Sequence, residues 1–437
     1  MLYMLLLAYC LTLYGILWPL SAQILIHHKH SNHRHHRTNI TNTFIHDVSS
    51  PEFIRLAAST YEKVLPCILD TWMMKDRQQS ASEFKFPDDA QYHYELIKNI
   101  TNSYRYAPVH EYAGYEGPWI ENIFISTFID RPLHTFGGLI PIFVQWIDNQ
   151  ILRGKYFDYI HAELNNVLRR TVLYVAISQG DVGLGKIGRS HPNILVMAAG
   201  GYGHIPLPLI KGEIAAAPIP FSTSSFSVLS LRQASNLQSG RTSIDGLSVE
   251  TTPQVQFQFS QDIGFFGSTG HMQQSRNQIL AVIKGEAERL GLTYKQGSGS
   301  SWKQDMEQTK FNLAPRGYGR NSFRFAESIQ LGRIPVFLYN DLPWIPYQNT
   351  SIGLETYGFC AGLTAAGENT LVEMVQQLKK LSDAEFLRKM SMLKEVRYYF
   401  TYAGVVNQIE KFFEDPFGSD GGFLRCTKHP REERCCG

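Results

Sequence analysis

The stretch "FNLAPRGYGRNSFRFAESIQLGRIPVFLYND" (311–341) restricts the folds open to this chain more than any other segment. Its pattern predicts a strand, a glycine-rich turn, a helix that stops at Gly332, and a second buried strand. Strands and helices in alternation are typical of parallel α/β sheets, in which helices cover the faces of the sheet. The stretch therefore predicts an α/β protein with a glycine turn at the carboxyl end of a strand.

The same alternation recurs on both sides of this stretch. Apolar runs predict strands in "GLIPIFVQW", "TVLYVAIS", "NILVMAAGG" and "IGFFGS", and helical periodicity predicts helices in "FDYIHAELNNVLRR" and "HMQQSRNQILAVIKGEAERLG". A Ser/Thr/Gln-rich stretch without periodicity separates the two sets. At 437 residues the chain exceeds one ordinary core, so we expect two α/β domains with a cleft between them.

These patterns divide the chain into six parts. In order, they are a signal anchor or signal peptide, a stem, an N-terminal α/β domain, a linker, a C-terminal α/β domain and a tail. Their predicted bounds are 1–26, 27–48, 49–220, 221–254, 255–415 and 416–437.

The first part, residues 1–26, carries no charged side chain and is long enough to cross a bilayer. It is either an uncleaved signal anchor or a signal peptide cut near Ala22. The basic run that follows opposes the anchor orientation under the positive-inside rule, so both alternatives stay open. In either case the chain enters the secretory pathway, and sequons at Asn39, Asn99 and Asn349 agree with this.

The tail holds three of the six cysteines. An oxidising lumen favours disulfides, and the tail predicts a local bridge from Cys426 to Cys435 or Cys436. A zinc site in the same tail matches no common ligand spacing.

Several functional classes are excluded by composition and by failed motifs. The chain has 41 Lys and Arg against 39 Asp and Glu, so it is no dedicated nucleic-acid binder. "GDVGLGKI" has phosphate-loop spacing, but Ile187 replaces the hydroxyl residue that would bind magnesium. The sequence contains no G-x-S-x-G nucleophile elbow and no D-x-D pair to hold a metal beneath a sugar diphosphate, so we expect no metal cofactor.

The glycine turn itself has the chemistry of a phosphate site. A helix N-terminus offers unpaired N–H groups and partial positive charge. Gly317 and Gly319 would let the backbone approach an anion, and Arg316 and Arg320 add charge on each side. Either Asn321 or Ser322 can cap the helix.

One turn further on, Glu327 lies on the same helix face as Arg324. A carboxylate there can accept hydrogen bonds from the two hydroxyls of a ribose. These parts together suit a nucleoside diphosphate. An Arg324–Glu327 pair that merely solvates a helix face is the structural alternative, and the residues alone do not decide between the two.

The same stretch resembles the donor-binding signature of exostosin-family glycosyltransferases. The positions that fall on that signature are Ala314, Pro315, Gly317, Gly319, Ser322, Arg324, Glu327, Gly332, Ile334, Pro335 and Val336. Two aligned positions carry a different residue type from the signature: Ala314 stands where cysteine is usual, and Ser328 stands where alanine is usual. The departures remove none of the proposed ligands.

Weaker resemblance to this family extends upstream to about Tyr115. "LYVAISQGDVG" is similar to a segment that places Asp181 on a family aspartate, although Gly180 replaces the histidine that precedes it. "IGFFGSTGHMQQSR" is similar to an element that ends in an arginine, here Arg276. The resemblance implies two Rossmann-like domains facing across a cleft (the GT-B type), with the acceptor on the N-terminal side and the nucleotide sugar on the C-terminal side.

Asp181 leads the candidates for the catalytic base, because it follows a buried strand at its carboxyl end, where α/β sites collect. A turn aspartate bonded to its own backbone is the alternative. Glu121 and His204 are reserve candidates. The predicted donor-binding set is Arg276, Arg316, Gly317, Tyr318, Gly319, Ser322, Arg324, Glu327 and Asp341.

The resemblance implies an exostosin-like glycosyltransferase that moves a sugar from a nucleotide sugar, UDP-linked, onto a glycan or glycoprotein hydroxyl, with inversion and without metal. Its expected place is the Golgi membrane, as a single-pass type II protein with a lumenal catalytic domain; secretion or the endoplasmic reticulum lumen is the alternative. Homo- or hetero-oligomers stay open. The functional alternative is a non-catalytic lumenal carbohydrate-binding or scaffold relative of the same fold.

Overall fold

The computed structural model describes residues 47–69, 81–105, 118–152, 154–218, 258–269, 274–363 and 369–427. The predicted membrane segment, all but the last two residues of the stem, the whole predicted linker and the two final cysteines lie outside these ranges. None of the helices within them is long and apolar enough to span a membrane.

The first sheet lies in the N-terminal half and is entirely parallel, with its strands in the order β1-β2-β3-β4. Its strands are β1 (Ile140–Ile142), β2 (Tyr174–Ser178), β3 (Ile194–Ala198) and β4 (Ile205–Pro206). The helices of this half are α1 (Pro51–Leu69), α2 (Ala90–Ile100), α3 (Ile120–Phe128), α4 (Trp146–Leu152), α5 (Gly154–Val167) and α6 (Lys186–Ser190).

The second sheet is also entirely parallel and has its strands in the order β6-β5-β7-β8-β9. Its strands are β5 (Gln261–Phe266), β6 (Tyr294–Gly297), β7 (Thr309–Pro315), β8 (Ile334–Tyr339) and β9 (Phe359–Gly362). The helices between them are α7 (Gln274–Arg289), α8 (Trp302–Glu307), α9 (Phe323–Leu331) and α10 (Leu354–Tyr357). Counted within this half, the order is 2-1-3-4-5, which reverses direction between β5 and β7.

Three further helices, α11 (Leu371–Lys380), α12 (Asp383–Val396) and α13 (Tyr402–Glu414), complete the fold. One apolar core runs through both halves, and the described residues from 47 onward form a single compact unit. Helix α13 packs against the first half: Arg131 pairs with Glu410, and Phe128 and Phe136 both make edge contacts with Phe413.

The central elements form where the sequence predicts them. All six residues of β8 are buried, as expected of a continuous apolar run in a parallel strand covered on both faces. Helix α9 ends at Gly332, which takes a left-handed conformation with φ of 70°. The prediction of an α/β fold with parallel sheets is confirmed, while the division into two domains and the GT-B arrangement remain predictions.

The first strand is shorter than predicted. The run "GLIPIFVQW" forms a strand only over Ile140–Ile142, and Trp146 begins helix α4 instead. Tertiary contacts hold the start of this helix, since the N–H of Ile147 donates to Glu121 and the indole of Trp146 is fully buried.

The disulfide prediction was wrong. Cys426 bonds to Cys67 on α1, 359 residues away in sequence, and not to the cysteines of the tail. The backbone beside it explains this pairing, because the N–H of Thr427 donates to the carbonyl of His204 and holds the segment against the first half of the chain.

We expect the Cys67→Ser/Cys426→Ser double variant to lose about 2–5 kcal/mol of unfolding free energy, because the bridge closes a very long loop. Urea unfolding followed by circular dichroism measures this. A loss below about 0.5 kcal/mol would contradict the prediction, since the bridge would then contribute no more than an ordinary surface contact.

Candidate functional site

The candidate site lies where the second sheet reverses direction. The carboxyl ends of β5 and β7 lie side by side there, and their helices, α7 and α9, follow from this point. In open α/β sheets, ligands bind outside the carboxyl ends of the strands at such a switch point. The glycine turn predicted from the sequence leaves β7 at this position.

Arg276, in the first turn of α7, bridges the switch point from the β5 side. Its Nε and Nη2 donate to the carbonyl of Arg316, just beyond β7, at 3.2 and 2.5 Å. Its Nη1 donates to the carbonyl of Ser268, just beyond β5, at 2.6 Å. One guanidinium thus holds the ends of both strands.

Arg324, in the first turn of α9, bridges the same point from the opposite direction. Its Nε donates to the carbonyl of Phe266 at the end of β5. Its Nη1 binds the buried carboxylate of Glu327, and its guanidinium lies 4.2 Å from the ring centroid of Trp302. Glu327 therefore fixes the direction of Arg324 at the switch point.

The site carries an excess of positive charge. Burial, with the neighbouring charges of Arg324 and Arg316, lowers the pKa of Arg276 to about 10, and the nearby Tyr318 opposes this only in part. Among the ion pairs of the described ranges, none includes Arg276. Three arginines brought together with one of them bound only to carbonyls favour an anionic ligand.

The two arginines of the glycine turn bind a common carboxylate. Asp341, beyond β8, accepts from Nη1 of Arg316 and from Nε of Arg320, both at 2.8 Å. Burial alone would raise the pKa of Asp341, but the Arg320 hydrogen bond, the charges of both arginines and the Leu342 N–H lower it overall. Asp341 therefore holds the turn as an ionised acid.

Arg316 also holds the turn through its own backbone. Its Nε donates to the carbonyl of Gly319 at 2.9 Å, and its Nη2 donates to that of Tyr318 at 3.0 Å. With Asp341 and Asn340 on Nη1, the guanidinium has a partner on each nitrogen. The main part that Arg316 plays in the structure is to set the shape of the turn.

Gly319 joins the turn to the first sheet. A Cβ at Gly319 would lie 1.9 Å from the carbonyl oxygen of Gly200 and 2.7 Å from Oδ1 of Asp181, so only glycine fits. On the other side Gly201, with φ of 120°, packs against Arg320, whose N–H donates to Gly200. Gly319 was predicted to allow close approach to an anion, but in the structure it allows close approach to the backbone of Gly200.

Two polar side chains reinforce this junction. Asn321 Nδ2 donates to the carbonyls of Ala199 and Leu207 at 3.0 and 3.4 Å, and Trp344 Nε1 donates to Ala198. Asn321 therefore ties the two halves together. Ser322 is the N-cap residue of α9, and its side chain makes no capping hydrogen bond.

Asp181 reaches the same junction from the end of β2. Its carboxyl accepts a hydrogen bond from the N–H of Gly319, which with the charge of Arg316 acts to lower its pKa, but desolvation outweighs both and raises the pKa above the usual aspartate value. The residue nevertheless keeps an exposed surface. A carboxyl with a raised pKa and access to solvent suits a general base.

The reserve candidates lie in the interior. Both oxygens of Glu121 accept backbone N–H groups, from Gln179 and Ile147, and burial raises its pKa to about 8. His204 accepts from the N–H of Val196, and burial lowers its pKa to about 3. Both are buried to 1 % exposure, which disfavours contact with a substrate hydroxyl.

The structure thus gathers most of the predicted site residues around one glycine turn, and the geometry favours Asp181 over Glu121 and His204. Sequence reasoning missed Trp302, Ser268 and the Gly200–Gly201 pair. The only signal for the last was "GGYG", which also fits tight packing. In the described ranges, no group of three His, Cys, Asp or Glu side chains is placed to hold a metal ion.

No family model and no curated protein matches this chain. Among solved structures it is similar to the GtfA/B complex, with 10% identity, a TM-score of 0.30, and coverage of 63% of this chain and 52% of that one. A mutant of S. aureus TarM with fondaparinux, alpha-GlcNAc-glycerol and UDP shows 10% identity, a TM-score of 0.27, and 59% coverage of each chain.

The pneumococcal O-GlcNAc transferase GtfA with UDP and GlcNAc gives 10% identity, a TM-score of 0.31, and coverage of 61% of this chain and 48% of that one. The chain thus spans only about half of the length of these structures. Because the identities and TM-scores are this low, these similarities do not indicate what the protein does. Its function is inferred from the site itself.

We expect Gly319→Ala to lower the unfolding free energy by about 1–3 kcal/mol, because its Cβ would overlap the Gly200 carbonyl. Gly285→Ala is the matched control. Gly285 lies exposed in α7 with no atom near its Cβ position, so alanine there should raise stability by ~0.5–1 kcal/mol. Equal urea midpoints for the two variants would rule out the close junction.

His204 should make the protein sensitive to acid. Its pKa falls from 6.5 to about 3 on folding, so its contribution is present above pH 6.5 and is lost as the pH falls towards 3. Replacement by glutamine removes the titration while keeping an acceptor for Val196. Urea unfolding across this range should show a shallower decline of stability in His204→Gln than in the wild type, and parallel curves would refute the burial of an uncharged imidazole.

Proposed function

We propose that this protein is a glycosyltransferase of the exostosin type, with the GT-B arrangement of two Rossmann-like domains. It would transfer a sugar from a UDP-linked donor to a glycan or glycoprotein hydroxyl, with inversion and without a metal. The observation that carries the proposal is the pair of arginines that cross the switch point, with the half-buried Arg276 hydrogen-bonded only to carbonyls.

In this proposal the C-terminal half holds the donor. Arg276 and Arg324 contact the diphosphate beside the uncapped start of α9, and Arg316 and Asp341 keep the glycine turn in shape. Glu327, which is buried and paired with Arg324, holds that arginine in position. Fixed positive charge at this place stabilises the negative charge that develops on the departing nucleotide.

Asp181 acts on the acceptor side. Its carboxylate takes the proton of the acceptor hydroxyl as the hydroxyl oxygen forms a bond to the anomeric carbon and the bond to the diphosphate oxygen breaks. Attack from the face opposite the leaving group inverts the anomeric centre. The raised pKa of Asp181 strengthens it as a base.

We place the enzyme in the Golgi membrane, with residues 1–26 as a type II anchor and the catalytic part in the lumen. The uncharged N-terminal segment supports this, as do the exposed positions of Asn99 and Asn349 in their sequons. The Cys67–Cys426 disulfide also fits an oxidising compartment. Secretion remains the alternative.

Nucleotide binding is the first test. We expect the full-length protein to bind UDP, and Arg276→Ala to weaken the affinity at least tenfold in isothermal titration, because a charge-assisted contact is lost. The matched control is Arg289→Ala at the far end of the same helix, where the arginine is exposed and paired with Glu286. Absence of UDP binding, or equal losses in both variants, would overturn the donor site.

Turnover separates the enzyme from the second candidate, a non-catalytic relative of the same fold. The observation that favours this second candidate is that both reserve candidates for the base, Glu121 and His204, are buried. Asp181→Asn should keep UDP affinity within about twofold and reduce release of UDP from UDP-sugars by at least a hundredfold. UDP binding without turnover on a panel of donors and acceptors would favour the non-catalytic relative.

A further inference from the structure

The glycine turn carries an exposed aromatic ring next to the candidate base. Tyr318 precedes Gly319 and is 54% exposed, and Val182 follows Asp181 and is 58% exposed. Since Gly319 and Asp181 are hydrogen-bonded, Tyr318 and Val182 are the chain neighbours of the two residues that make one contact. The other large exposed apolar side chains of the described ranges are Ile54, Leu56, Tyr92, Tyr159 and Tyr398.

Tyr318 differs from the other exposed apolar residues because its backbone is held in a fixed conformation. Single apolar residues on helix surfaces, such as Tyr92 on α2 and Tyr159 on α5, are ordinary. Tyr318 instead lies in a turn whose shape is set in advance, because Arg316 Nη2 binds the carbonyl of Tyr318 itself. A rigid backbone that holds an aromatic ring towards solvent keeps the entropy cost of binding low.

Tyr318 lies close to the residues of both parts of the proposed reaction, donor binding and proton transfer. The phenol of Tyr318 is close enough to Arg276 to affect its pKa, while the next residue in the chain contacts Asp181. Tyr318 thus lies near Arg276, one of the arginines that would hold the diphosphate, and is one residue away in the chain from the contact with the carboxyl that would accept a proton. A ligand there meets an apolar surface with a hydrogen-bond acceptor at its edge.

We propose that Tyr318 and Val182 form, with Asp181, a subsite that binds a pyranose ring; the inference rests on the proposed function. A pyranose has C–H groups on its faces, which pack on aromatic and aliphatic side chains, and hydroxyls around its rim, which bind a carboxylate. Two side chains are far too small a patch for a protein partner. The ring would belong either to the donor sugar or to the acceptor.

The test uses the full-length protein with two kinds of probe. Titrations with UDP, UDP-glucose and UDP-galactose report on the donor sugar, and saturation-transfer NMR with the methyl β-pyranosides of glucose, galactose and xylose reports on the acceptor. Tyr318→Ala should weaken the pyranose probe that the wild type binds by about fivefold more than it weakens UDP itself. Tyr318→Phe should retain binding, and Tyr92→Ala is the exposed-tyrosine control.

The probes distinguish the sources of the ring. A loss confined to UDP-sugars assigns the subsite to the donor sugar, and a loss confined to methyl glycosides assigns it to the acceptor; both support the proposal. The proposal is overturned if Tyr318→Ala weakens UDP as much as the UDP-sugars, or if it weakens no pyranose probe. Wild-type protein that binds UDP but none of the pyranoses also overturns the subsite and leaves the nucleotide site standing, whereas failure to bind UDP overturns the proposed function itself.

Discussion

The backbone contact between Gly319 and Gly200 is the constraint on which the rest of the site depends. It brings the turn after β7 against the turn after β3, with no room for a Cβ at Gly319. Asp181 can accept from the Gly319 N–H only because the two backbones approach this closely. A residue from the first sheet and the charged turn of the second thereby share one location.

The arginines around this contact divide into two groups with different tasks. Arg316 and Arg320 are neutralised by Asp341 and hold the turn, so their effect on an anion is mostly indirect. Arg276 and Arg324 bind carbonyls across the switch point, and only Arg324 has a carboxylate. The positive charge that is left unpaired by a carboxylate at the ends of β5 and β7 favours an anion at this edge of the sheet.

Several parts of this site could be predicted from local sequence, and others could not. Gly332 and the apolar run of β8 follow from rules that act over a few residues, and both appear where expected. The task of Gly319 was predicted as close approach to an anion, whereas its neighbour is Gly200, more than a hundred residues earlier. A glycine in the sequence indicates that another group approaches the backbone closely, but it does not identify that group.

The sequence by itself determined the α/β class, the turn between β7 and α9, and the residues able to bind an anion, because periodicity and glycine punctuation act locally. Only the tertiary structure decided strand order, the switch point, the partners of each arginine and the bond from Cys67 to Cys426. These depend on which distant segments pack together, and packing is chosen by the sum of many weak contacts that no short stretch encodes.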